Sequence, residues 1–335
     1  MNHKRSTYIF YGIIFIIMWI IGGWNTDNGD FSNYEEMYTY DILAMTTSNT
    51  PDYGFFLILE GFKLLDLSLI QARIVIYFIF LTTLSFLIFK LSKRPILVVL
   101  LYFLTLYFRD VILLRNTVAM IFLYIGIYFY ISQEYKHRKI IFFFMVLIAT
   151  TIHISFLFYL VVLLADKNIK FGWIAWGSIL LAFIGKPILS LFSSYIVSEE
   201  NGQLQQKVGS MLESGSYFSL IICTIVVLLS VYMCKEAYRI VKIKSIVSCK
   251  AILDINVIMS CILVLTSVTM SFIRMFYNIL FFDYILVSNA LFYRKKISFV
   301  QILWFVWIYL WAFWMSNVSS NFSRILANNL VFNSI

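Results

Sequence analysis

Arg109, Arg115, His153 and Arg274 are ionisable residues in a chain where such residues are scarce, and their types suit anion binding and proton transfer. An arginine guanidinium stays charged and donates paired hydrogen bonds to phosphate. A histidine, or a carboxylate such as Asp30, can take a proton from an attacking hydroxyl. Together they would fit a substrate whose leaving group is a diphosphate. Each also has a plainer reading. Arg109 beside Asp110 would form an interfacial ion pair, and Arg115 would snorkel to the headgroups. His153 would be a hydrogen-bonded cap, and Arg274 would mark a helix end. Tyr34 and Tyr38 follow Asp30 at four-residue steps, so on a helix the three share a face. Tyrosine rings are stacking surfaces for sugars and carboxylates bind sugar hydroxyls, although the same rings would also serve as an interfacial belt.

The elements that must hold these residues are membrane helices. Of 335 residues, 61% are hydrophobic and 13% charged, against about 45–50% and about 25% in soluble domains. This composition predicts an all-α, polytopic membrane helical bundle in contact with membrane lipids, forming a single integral domain over residues 1–335. The net charge of +9 fits basic cytoplasmic loops, not nucleic acid. Four cysteines lack CxxC spacing, and the three histidines form no HExxH pattern. No metal or cofactor is called for.

Apolar runs near the spanning length of about 20 residues fall at 7–24, 71–92, 111–132, 171–192, 217–234, 251–272, 275–293 and 297–315. Two further runs, 95–108 and 140–165, are resolved by charge. Lys4 and Arg5 place the N-terminus in the cytoplasm. The acidic segment after the first span then lies outside. Keeping Lys136, Arg138 and Lys139 inside requires 95–108 to cross, or at least to enter deeply enough to reverse parity. Keeping Lys235, Arg239 and Lys242 inside requires 140–165 to be a hairpin with His153 at its tip. The outcome is about eleven spans with the C-terminus outside. The apolar stretch 54–65 is too short to span and predicts a re-entrant or interfacial helix. Arg109 and Asp110 should lie between two spans, Arg115 a turn further in, and Asp30, His153 and Arg274 at the same face. Asp283, near the middle of its span, is the one feature that points toward a transporter.

The order of these features resembles the EpsG-like family of bacterial polysaccharide polymerases, within the Wzy-type membrane glycosyltransferases. The residues that carry the resemblance are Asp30, Tyr34 and Tyr38, then Asp52-Tyr53-Gly54-Phe55, then Leu114-Arg115-Asn116-Thr117-Val118-Ala119. Ala149, His153 and Ser155 follow, and last Arg274 with Tyr277. Asn116 stands where glutamine is usual, and Tyr53 where proline is common. The resemblance implies a multi-pass protein of the bacterial cell membrane. It would polymerise undecaprenyl-diphosphate-linked oligosaccharides into capsular or extracellular polysaccharide at the outer face. A flippase and a chain-length regulator of the same pathway would be its partners. On this reading Asp30 and His153 are catalytic, while Arg109, Arg115, Arg274, Tyr34 and Tyr38 bind substrate. The alternatives are a flippase for the lipid-linked unit and a glycan ligase.

Overall fold

The structure is a computed structural model that describes residues 2–39, 52–132, 134–165, 173, 176–180, 183–184, 217–241, 249–267, 272–293 and 321–332. The expected spans at 171–192 and 297–315 lie wholly or largely outside the described residues. Among the described residues, seven helical segments are long and apolar enough to cross a membrane: Ser6–Gly23, Leu69–Leu91, Pro95–Ile112, Leu114–Ile131, Leu220–Val241, Cys249–Thr266 and Ile273–Tyr293. The chain is a multi-pass helical membrane protein. It divides into two compact units, Met1–Phe158 with Ser288–Ile335, and Tyr159–Val287.

The first unit begins with α1 (Asn2–Gly23), followed by two short helices, α2 (Phe31–Thr39) and α3 (Tyr53–Lys63). The short helix expected at 54–65, re-entrant or interfacial, is α3, and Leu57, Leu64 and Leu65 in and just after it are exposed. Next comes α4 (Leu69–Leu91), opened by a reciprocal capping box between Ser68 and Gln71. It runs antiparallel to α1: Trp19 donates to the Ile74 carbonyl at 2.9 Å, and Tyr11 to Ser85 at 3.0 Å.

Residues 95–112 are long and apolar enough to cross, as charge counting requires, but form a composite. α5 (Pro95–Tyr102) starts with proline at its first position, widens into a π turn at Phe103–Tyr107, and continues as α6 (Phe108–Ile112). Arg109 and Asp110 do not lie in a loop between spans; they sit inside α6, and the chain turns at Leu113. Arg115 is therefore the second residue of α7 (Leu114–Ile131), not a turn further in. The physical reason is that adjacent opposite charges neutralise each other, so a helix can bury them.

The antiparallel partner of α7 is α8 (Arg138–Ile152). Gly126 permits that contact, since a Cβ there would stand 2.9 Å from Met145 Cβ. His153 is extended (φ −149°, ψ 109°), and an 11-residue 3₁₀ helix, Ile154–Leu164, follows it. The expected two short helices flanking His153 are present.

One end of this unit gathers the C-termini of α1, α6 and α8, the N-termini of α4 and α7, and all of α2 and α3. Residues near the C-terminus join them: α13 (Asn321–Ala327; α9 to α12 are given below) precedes an antiparallel bridge from Asn329 to Asn25. Arg324 pairs with Asp27 at 2.8 Å, and Thr26 N–H donates to the Asn328 carbonyl at 2.9 Å. Lys90, Lys93, Arg94, Arg138 and Lys139 cluster at the opposite end, where Lys93 N–H bonds Asn289 Oδ1 at 2.7 Å.

The second unit contains α9 (Tyr217–Val241), α10 (Cys249–Met259), α11 (Ile262–Thr266) and most of α12 (Ile273–Tyr293). Asp283, 2% exposed, accepts a 2.6 Å hydrogen bond from Asn256 Nδ2 between α12 and α10.

Candidate functional site

Asp52 lies just before α3, and its delivery depends on the second residue of that helix. A Cβ on Gly54 would stand 2.5 Å from Thr151 Oγ1 and 2.9 Å from the Thr151 backbone. Only glycine lets the first turn of α3 press onto the end of α8. That approach brings Asp52 Oδ1 to the Ile154 N–H at 2.9 Å. This N–H is bare because the extended backbone at His153 ends α8 and restarts the chain as a 3₁₀ helix. Asp52 thus caps the new N-terminus, where a negative charge is favoured.

The other oxygen of Asp52 binds Arg115 Nη1 at 2.5 Å. His153 Nδ1 stands 3.8 Å from Oδ1, too far for a hydrogen bond but within ion-pair range of a protonated ring. The Asp52 side chain is 9% exposed, whereas Arg115 and His153 are each 30% exposed. A buried carboxylate therefore carries two half-open partners. Burial pushes the Asp52 carboxyl up, but His153, the Ile154 N–H and the Arg115 charge outweigh it and hold the group below the usual carboxylate range.

Tyr34 supports this cluster from α2. Its hydroxyl accepts the Arg115 N–H at 3.4 Å, filling one of the orphan donors that open α7. Its ring packs edge-on against Phe55, 5.9 Å between centroids. At 3% exposure it offers no face to a sugar in this structure. Burial and the Asp30 charge raise its hydroxyl above the normal range. Asp30 heads α2, accepting Tyr34 N–H on its carbonyl at 3.2 Å, and keeps a half-exposed side chain. Tyr38 is tied down: its hydroxyl donates to the Leu67 carbonyl at 2.5 Å, and Lys63 lies over its ring.

The structure thus brings Arg115, His153 and Tyr34 together, with Asp30 adjacent. Arg109 is engaged elsewhere, since its Nε and Nη2 bond Asp110 Oδ1 at 2.9 and 2.6 Å, while Tyr102 donates to Oδ2 at 2.5 Å. Arg274 is exposed at the start of α12 in the second unit. Among the described residues, no group of three His, Cys, Asp or Glu could hold a metal ion. Two residues carry no site role in the sequence reading. Asp52 stands in the D-x-G-F element, where the glycine is the signal. Arg73, a cation inside an apolar run, is flagged by the cost of burying charge there.

Fold and site together define a multi-pass membrane protein with an arginine–aspartate–histidine cluster at one end of a helical unit. The chain belongs to the EpsG family, whose model matches residues 8–332, nearly its whole length. This is a family of Wzy-type polysaccharide polymerases, so membership implies a polymerase-type glycosyltransferase role with a lipid-linked oligosaccharide substrate in general. No curated protein and no solved structure matches the chain.

Proposed function

We propose that this protein polymerises undecaprenyl-diphosphate-linked oligosaccharides into capsular or extracellular polysaccharide, using the Asp52–Arg115–His153 cluster. The end of the first unit that carries α2 and α3 would face outward. The opposite end collects the basic residues that the positive-inside rule assigns to the cytoplasm. The observation that carries the reading is the sharing of one carboxylate by a phosphate-binding cation and a proton acceptor.

In this mechanism an acceptor sugar hydroxyl attacks the anomeric carbon of a lipid-linked glycan. The new C–O bond forms as the bond to the diphosphate breaks, and undecaprenyl diphosphate leaves with the bonding electrons. Arg115 offsets the charge that develops on the leaving diphosphate. His153 accepts the hydroxyl proton on Nε2, because Asp52 faces Nδ1 and favours the tautomer with its proton there. Asp52, held charged between its partners, is the positioning carboxylate and a poor base. Asp30, half-exposed beside Tyr34, lines the approach of the acceptor.

Purified protein in vesicles, given lipid-linked repeat units on its outward side, tests this directly. Glycan ladders that lengthen with time are expected, and Arg115→Ala and His153→Ala protein at equal levels should give single repeats. Translocation of labelled lipid-linked unit with no lengthening would replace the polymerase reading with a flippase.

A further inference from the structure

Arg73, five residues into α4, is completely buried (0% exposed). Its Nη2 donates to the Gly22 carbonyl at 3.1 Å and the Val111 carbonyl at 3.4 Å, in the last turns of α1 and α6. The rings of Phe31 and Tyr77 flank it at 5.6 and 5.5 Å. Among the described residues, its Nε and Nη1 have no hydrogen-bond partner. Arg115 shares this condition in part, with Nη1 on Asp52 and Nε without a hydrogen-bond partner among the described residues. The Tyr34 hydroxyl lies within electrostatic reach of both cations.

Helix C-terminal carbonyls compensate a cation only partly. Buried donors left unfilled are rare, and a buried charge without an anion is costly. Both cations lie against α2, Arg73 under the Phe31 ring and Arg115 with its N–H on the Tyr34 hydroxyl, and these two α2 residues are apolar or neutral. We infer that Arg73 and Arg115 form a paired-cation seat for a diphosphate, roofed by α2 through Phe31 and Tyr34. The inference rests on the lipid-linked substrate proposed above. It adds a second, deeper cation and the element that must lift to admit the anion. Two guanidinium forks match the oxygens of two linked phosphates better than either fork alone.

Binding of inorganic pyrophosphate and of undecaprenyl diphosphate to the purified full-length protein in detergent tests this, with phosphatidylglycerol vesicles as the control for a lipid headgroup. Arg73→Met should weaken both diphosphates at least ten-fold. Arg73→Lys should weaken them less, since it keeps the charge and loses the fork. Phe31→Ala, which leaves the cation in place and thins its cover, should speed pyrophosphate association several-fold. Affinity within two-fold of wild type in Arg73→Met overturns the seat, as does Arg73-dependent binding of phosphatidylglycerol alone. If Arg73→Met does not fold, unchanged association in Phe31→Ala overturns it instead. Arg73-dependent pyrophosphate binding by a protein that lengthens no glycan would sink the polymerase reading and leave the seat standing. A working polymerase with wild-type pyrophosphate affinity in Arg73→Met would do the reverse.

Discussion

Two arginine–aspartate pairs stand at the same end of the first unit, and they are built for different purposes. In the Arg109–Asp110 pair both carboxylate oxygens are engaged inside the protein, one by Arg109 and the other by Tyr102, with side chains 10% and 0% exposed. In the Arg115–Asp52 pair the carboxylate is divided among Arg115, the Ile154 N–H and the neighbouring His153, and Arg115 is 30% exposed. A sealed pair neutralises its own charge inside one span. A shared pair with open partners can exchange one of them for a substrate. Residue type is the same in both; access, and the histidine beside one carboxylate, separate them.

The largest effect expected from this contrast is on turnover. His153→Ala should lower polymerisation by about 10²–10⁴-fold, the usual contribution of a positioned general base. Its thermal stability should stay close to wild type. Loss of folding in step with activity would move His153 to the structural side of the comparison. Asp110→Leu should do the opposite. Leaving Arg109 buried and unpaired should destabilise the protein by about 3–5 kcal/mol, while replacing both partners, with Arg109→Met added, should restore most of that. Thermal melts of the single and double variants check this. A double variant as unstable as the single would show that the pair itself, and not its completeness, matters.

The contrast is only half legible in the sequence. The spans of the first unit follow from the lengths of the apolar runs, and the helical face shared by Tyr34 and Tyr38 from their four-residue spacing. His153 as a break between two short helices follows from charge parity. The sealed pair misleads, because neighbouring opposite charges look like a loop, whereas here they neutralise each other within α6. Tyr34 reads as a sugar platform because its ring looks available; its burial against Phe55 is set by the packing of α2 on α3, which is separated from it in sequence. Asp52 acquires its partners only through the close contact of Gly54 with Thr151. Arg73 is marked in the sequence only by the cost of placing a cation inside a span, and its place under α2 follows only from the packing of α1, α2 and α6 around it.

The Gly54 contact offers an intermediate test. Gly54→Ala should push α3 off the end of α8 and destabilise the protein by about 1–3 kcal/mol, the usual cost of overpacking. Because the same contact carries Asp52, activity should fall further than the stability loss accounts for. The comparison would fail at this point if Gly54→Ala lost stability and kept wild-type turnover per folded molecule.

The smallest expected effect is that of pH on the open pair. Asp52 is held below the usual carboxylate range in the folded protein. A group with a depressed folded pKa contributes stability that is fully present above its unfolded pKa, near 3.9 for aspartate, and that is lost as pH falls through the lower folded value. Asp52 therefore stays charged across the working range, and its own ionisation adds no pH dependence from about pH 5 to 8 to the difference in melting temperature between wild type and Asp52→Asn. Its contribution should shrink only in stronger acid. Any acid limb in polymerisation at milder pH then belongs to a group other than Asp52, and it should survive in whatever residual activity Asp52→Asn retains. If the limb disappears with Asp52→Asn while the melting difference stays flat, the carboxylate is taking part in proton transfer itself and does more than position its two partners.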